Sequence, residues 1–193
     1  MEVDLLLTGV GGQGIQLAAK TLALAATREG FDAMLSSTYG GQMRGGQTEA
    51  TVVVRDGRIE GVPPILPSAS SAVVAHSEFW PPVRDRLRPQ ALVVVEESFF
   101  EESMRLPGRR TVVVPAAAEA ERVGLGSAAT FVLVAAYNEM AGIVPGQRLV
   151  DAMRELVPSY RAERVEANAR ALGLGADLGA REVATGRVRD PSR

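Results

Sequence analysis

Gly9-Val10-Gly11-Gly12-Gln13-Gly14 constrains this chain more than any other stretch, because of what stands on either side of it. Residues 3–8 form an aliphatic run, dense enough to suit a central strand covered on both faces. From residue 15 to residue 29 the period changes. Ile15, Leu17, Ala18, Leu22, Ala25 and Ala26 fall near helical spacing, and Gly30 is placed to end the helix. Residues 31–36 read as a second strand. Strand, glycine turn, helix and strand together make a Rossmann-like βαβ opening.

Further along, residues 48–54 are β-branched and alternating, and Arg55-Asp56-Gly57-Arg58 follows as a hairpin signal built on Asp-Gly. A hairpin requires at least one antiparallel pair, so the sheet is expected to be mixed. Pro63, Pro64 and Pro67 mark a loop. Residues 72–75, 91–95 and 111–114 are three more candidate buried strands, with a helix over 77–87 interrupted at Pro81-Pro82. Beyond Pro115 the strands stop. Residues 128–142, 146–157 and 161–172 read as three helices, separated by Pro145 and Pro158. The expected architecture is a three-layer α/β/α fold with a mixed, mostly parallel sheet and a helical C-terminal third. One domain is expected over residues 1–172. Residues 173–193, rich in Gly, Arg and Asp, are expected to be a tail that is loose or ordered by a partner.

Composition mainly excludes. With 193 residues, 46% hydrophobic and 23% charged, the chain can bury one ordinary core. A net charge of −2 gives no electrostatic reason to hold a nucleic-acid backbone. Without cysteine there is neither a disulfide, nor a thiol nucleophile, nor thiolates to hold an iron–sulfur cluster. His76 is the only imidazole, so a histidine-built zinc site or serine triad is hard to assemble. Neither a metal site nor a catalytic residue is assigned. Met1-Glu2-Val3-Asp4 lacks the basic region of a signal peptide, and no apolar run approaches the ~20 residues of a membrane span. The expectation is a cytoplasmic protein, off the membrane.

Glycines at 9, 11, 12 and 14 let the backbone turn tightly and come close to a ligand. Free N–H groups at the helix start, with the helix dipole, favour an anion there. A Walker loop needs Lys and then Ser or Thr after the last glycine, where Ile15 and Gln16 stand. A dinucleotide site needs an acid at the far end of the second strand, about 20 residues on. Asp32 is near in count but begins that strand, and its far end offers Ser36-Ser37-Thr38. A free-standing NAD(P)-binding dehydrogenase is thus a weaker reading. Glycines that merely pack helix on strand are another.

The second strand leads into Tyr39-Gly40-Gly41-Gln42-Met43-Arg44-Gly45-Gly46. Loops leaving the carboxyl ends of neighbouring strands line one crevice. Arg44 between glycine pairs can present its planar fork to a phosphate or carboxylate. A G-x-G-G-Q-G turn followed about 25 residues later by Y-G-x-E-x-R-G-G resembles the gamma subunit, or fused gamma domain, of the 2-oxoacid:ferredoxin oxidoreductases. Pyruvate, 2-oxoglutarate, branched-chain 2-oxoacid and indolepyruvate oxidoreductases form that group. The likeness runs from about residue 3 to residue 172 and includes Asn138 and Gly142.

The resemblance implies a non-autonomous subunit of an enzyme that decarboxylates a 2-oxoacid on thiamine diphosphate, sends electrons through iron–sulfur clusters to ferredoxin or another acceptor, and yields an acyl-coenzyme A. Thiamine diphosphate and the clusters would sit in partner subunits, and this chain alone would hold no cofactor. Gly9, Gly11, Gly12, Gln13, Gly14, Tyr39, Gly40, Gln42, Arg44, Gly45 and Gly46 would wall a shared coenzyme A site at a subunit interface. Gln42 departs from the family, which usually carries Glu there, and this leaves the substrate or acceptor type open. Self-pairing into a homodimer is left open too, as is a purely architectural role for the loops. His76 is expected to be structural, and Glu96 and Glu97 to be solvated acids or ribose partners.

Overall fold

The aliphatic run near the N-terminus becomes β1 (Glu2–Val10), buried from Val3 to Gly9. Both its faces are covered, Leu5 and Leu7 entering one apolar cluster and Leu6 the other. The computed structural model describes residues 1–39, 45–61, 63, 65–122 and 124–186. After β1 come α1 (Ile15–Arg28), β2 (Asp32–Tyr39), β3 (Gln47–Arg55), β4 (Ala69–Val74), α2 (Trp80–Arg84), β5 (Leu87–Glu96) and β6 (Arg110–Val114). Among the described residues four α-helices follow: α3 (Ala116–Arg122), α4 (Ala129–Ala141), α5 (Gly146–Leu156) and α6 (Ala162–Ala184). The strands form one sheet in the order β2-β3-β1-β4-β5-β6. β1, β4, β5 and β6 run parallel to one another, and β3 is antiparallel to both β1 and β2.

The mixed α/β sheet and the helical C-terminal third are as the sequence predicts, but the joins differ in several places. β2 is not beside β1, because β3 returns between them, pairing Val10 with Gln47 and Tyr39 with Thr48. Both antiparallel pairs are made by β3. Asp56-Gly57 only ends β3, and the chain then crosses to β4, parallel to β1. A turn signal marks a reversal but does not say which strand will be met. Pro81 and Pro82 do not interrupt a helix; they sit in the first turn of α2, where a missing N–H costs nothing. A short 3-10 turn over Ser77–Phe79 precedes it. α3 was not anticipated.

The tail boundary also moves: residues 173–184 continue α6. Gly175 and Gly179 look like helix stops, yet a Cβ on either would land on a backbone carbonyl of α4, that of Val132 or of Ala136. They are glycine because two helices touch there. α6 lies along α4, and α4 is buried almost all round, from Thr130 to Asn138 and at Met140. A helix apolar on every side must be covered on every side. The sheet covers one flank of α4 and α6 another.

The layers are therefore unequal. On one face Leu5, Leu7, Val73 and Val94 pack with α1, α3, α4 and α5 in the main core. On the other, among the described residues, Leu6, Val74, Val93 and Val95 meet Trp80, Val83, Met104 and their neighbours. At the amino end of the parallel strands Asp4, 1% exposed, is clamped by Arg55 at 2.5 Å and Arg88 at 2.6 Å. Among the described residues no helix is long and apolar enough to cross a membrane.

Candidate functional site

The glycine turn stands at the opposite, carboxyl end of the parallel strands, between β1 and α1. Each predicted residue in it has a separate local reason. A Cβ on Gly9 would run into the Gln13 side chain and Ile15. Gly12 and Gly14 adopt φ of +106° and +82°, which L side chains rarely take. Gln13 turns inward: its Oε1 accepts from the Val10 N–H at 2.8 Å, and its carbonyl accepts from the Thr130 hydroxyl at 2.6 Å. α4 thereby braces the turn. The start of α1 carries no side-chain cap and no acid in its first turn, so its orphan N–H groups and positive dipole end suit an anion.

The two glycine loops meet. The Gly11 N–H donates to the Gly46 carbonyl at 2.8 Å, and the Cβ position of Gly11 lies 3.6 Å from the Gly45 nitrogen. They meet because β3, not β2, is the neighbour of β1, and residues 45–46 enter β3. Of the other predicted residues in the second loop, Gly40, Gln42 and Arg44 lie outside the described residues, as does the Tyr39 side chain.

On the other side of the first turn lies a cavity of about 270 Å³, lined by Gly12, Gln13, Ala75, Glu96, Phe99 and Thr130 among others. Glu96 is 3% exposed, not solvated as expected, whereas Glu97 is exposed. Its Oε1 accepts from the Ser98 N–H at 3.3 Å and the Ser98 hydroxyl at 3.0 Å, and its Oε2 accepts from the Ala117 N–H at 3.0 Å. Sequence reasoning passed over Thr130 and Phe99 as well. The available signal was the acid ending an otherwise apolar strand, Leu92-Val93-Val94-Val95-Glu96. His76 has a local structural role, as expected. Its Nδ1 accepts from the Glu78 N–H at 3.3 Å, and its ring lies 4.1 Å from that of Phe99.

Asp32 is at the wrong end of the molecule for a ribose partner of this turn. It begins β2, at the level of Arg55, and accepts from the Ile59 N–H at 2.9 Å.

Among known proteins, the family described as pyruvate ferredoxin/flavodoxin oxidoreductase matches residues 4–178. A 2-oxoglutarate synthase subunit KorC of Methanothermobacter thermautotrophicus is 30% identical over 167 residues, covering 83% of this chain and 88% of that one. In solved structures, the fold is shared with a keto/oxoacid ferredoxin oxidoreductase gamma subunit from Geobacter sulfurreducens, at a TM-score of 0.77 and 23% identity, over 93% of this chain and 97% of that one. It is also shared with 2-oxoglutarate:ferredoxin oxidoreductase from Magnetococcus marinus, at a TM-score of 0.81 and 17% identity, where 93% of this chain matches 31% of a longer one. The last of these was solved with 2-oxoglutarate, coenzyme A and succinyl-CoA bound. The chain belongs to the pyruvate ferredoxin/flavodoxin oxidoreductase family.

Proposed function

We propose that this subunit works inside a cytoplasmic complex that oxidatively decarboxylates a 2-oxoacid, passes the electrons to ferredoxin and releases an acyl-coenzyme A, and that its glycine loops hold the phosphates of coenzyme A. The observation that carries this reading is the Gly11–Gly46 hydrogen bond, which ties the two loops together at one end of the sheet. Within such a complex, thiamine diphosphate supplies the decarboxylation chemistry from a partner subunit. Having no cysteine, this chain is unsuited to hold a thiolate-ligated cluster, so the clusters too belong to partners. The part left to this chain is binding. Backbone N–H groups of the turn and the uncapped start of α1 receive phosphate oxygens, while Arg44 contributes a guanidinium fork.

Coexpression with its neighbouring genes tests the assembly: a thiamine-binding partner should co-purify, and its absence would sink the proposal. Arg44→Ala tests the ligand. The expected result is a KM for coenzyme A raised about tenfold, the effect of roughly 1.4 kcal/mol, in a complex that still assembles. Loss of assembly with unchanged KM would favour loops that touch only partner chains. A free-standing dehydrogenase fits less well, since Asp32 lies at the far end of β2 from the turn.

A further inference from the structure

The two edges of the sheet meet solvent in different ways. At one of them β6 is five residues long and carries Arg110, and its Thr111 carbonyl accepts from the Arg105 guanidinium at 3.3 Å. Short length, cationic side chains and covering groups are the usual means of keeping an edge from pairing with another chain. β2, at the other edge, has none of them. It runs for eight residues without proline, glycine, lysine or arginine. Its one charge stands at the start, where the Asp32 carboxylate accepts from the Ile59 N–H at 2.9 Å. Every residue of β2 is paired with β3 on the inner side. About half of the N–H and C=O groups of such a strand point away from its neighbour. Among the described residues, none donates to or accepts from the outward groups of residues 33–38.

The strand also suits pairing with itself. Ala33 and Leu35 are half-buried at the margin of the main core, so they lie on the α1 face. Met34, Ser36 and Thr38 alternate onto the other face. Side chains directly opposite in an antiparallel pair share a face, so a two-fold axis normal to the sheet pairs odd positions with odd and even with even. With the axis at Leu35, this leucine meets its own copy, Ala33 meets Ser37, and Met34 meets Ser36. Asp32 falls opposite Thr38, so no like charges meet along the strand. The register centred on Ser36 obeys the same parity but leaves the two leucines apart.

We propose that β2 is a self-pairing edge: two copies of this chain join antiparallel through β2 about Leu35, and the six strands of each copy become one continuous sheet. The proposal is independent of the coenzyme A reading.

Because the chain has no cysteine, any thiol in a test is one that was introduced. A disulfide needs Cα atoms roughly 4.4–6.8 Å apart, and facing residues of an antiparallel pair stand at about 4.5–5.5 Å. Under mild oxidation Leu35→Cys should link into a covalent dimer about tenfold faster than Ala33→Cys. The copy of Ala33 would lie about 13 Å along the strand, at roughly 3.3 Å per residue. Ala33→Cys combined with Ser37→Cys should restore linking, which tests the register. Without thiols, the wild-type full chain should sediment with the mass of two chains. Leu35→Lys, which sets two ammonium groups face to face, should sediment as one chain with a folded far-UV circular dichroism spectrum. If Leu35→Lys does not fold, the cysteine variants decide. A wild type that stays monomeric through the micromolar range, with Leu35→Cys no faster to link than Ala33→Cys, overturns the pairing. Protection of the β2 amides from hydrogen exchange only in the co-expressed complex would then assign this edge to a strand of a partner subunit.

Discussion

Tyr137 is a buried polar side chain that ties the stability of the fold to pH. It stands on α4 with its hydroxyl 2.7 Å from that of Ser71 on β4, which in turn donates to the Asp4 carbonyl. Burial pushes the Tyr137 hydroxyl well above the usual tyrosine range; the Ser71 hydrogen bond opposes this and the nearby Asp4 charge adds to it. The sign of the pH effect follows. Above about pH 10 the unfolded chain gives up this proton while the folded chain keeps it. Stability present below that pH is then lost at up to about 1.4 kcal/mol per unit as pH rises. Urea unfolding between about pH 9 and 11 should show this loss in the wild type and a shallower one in Tyr137→Phe; equal slopes would refute it. Thr130 works at the same scale at the other end of the sheet. Thr130→Val deletes the donor to the Gln13 carbonyl and should cost about 1 kcal/mol in the same measurement. Thr130→Ser should restore most of it.

Helix α6 carries glycines with opposite meanings a few residues apart. In a helix interior glycine is roughly 0.5–1 kcal/mol worse than alanine, because the unfolded chain has more freedom to lose. Gly173 has nothing within 4 Å of its Cβ position, so Gly173→Ala should gain about that much. At Gly175 the added methyl would meet the Val132 carbonyl and the Ala135 side chain. Gly175→Ala must therefore push α6 off α4, and overpacking of this kind costs about 1–3 kcal/mol. Thermal melts of the two variants should move in opposite directions. Two shifts of the same sign would mean that the close approach of α4 and α6 is not what requires glycine at 175.

At the scale of the molecule, what the sequence disclosed was local and what it concealed was pairing. The strands, the glycine turn and α1 are written in apolar density, a change of period and a run of glycines, all read within a dozen residues. That β3 would insert between β1 and β2 is decided by which edges find each other, and nothing in residues 47–55 states it. The same insertion brings Gly46 to Gly11, so the two loops expected side by side do touch, but through β3 rather than through a pairing of β1 with β2. Glu96 escaped because burial of a carboxylate depends on donors at Ser98 and Ala117, and the latter belongs to a helix that was not anticipated. The boundary at residue 172 failed for a related reason: glycines that end helices in isolation also let helices touch. Its position yields the sharpest test of the whole fold. A chain ended after residue 172 loses Leu174, Leu178 and Val183, which pack on the main core, and uncovers the outer flank of α4. A fully buried side chain of this kind is worth roughly 1.5–3 kcal/mol; three half-buried ones, with the α4 surface they cover, forfeit on the order of several kcal/mol, a large share of the whole stability of a domain. That chain should be unfolded or aggregated on expression, as judged by gel filtration and far-UV circular dichroism. A chain ended after residue 186 keeps all of α6 and should elute and melt as a folded protein. If the shorter chain melts as cooperatively as the longer, α6 is an appendage and α4 must be covered some other way.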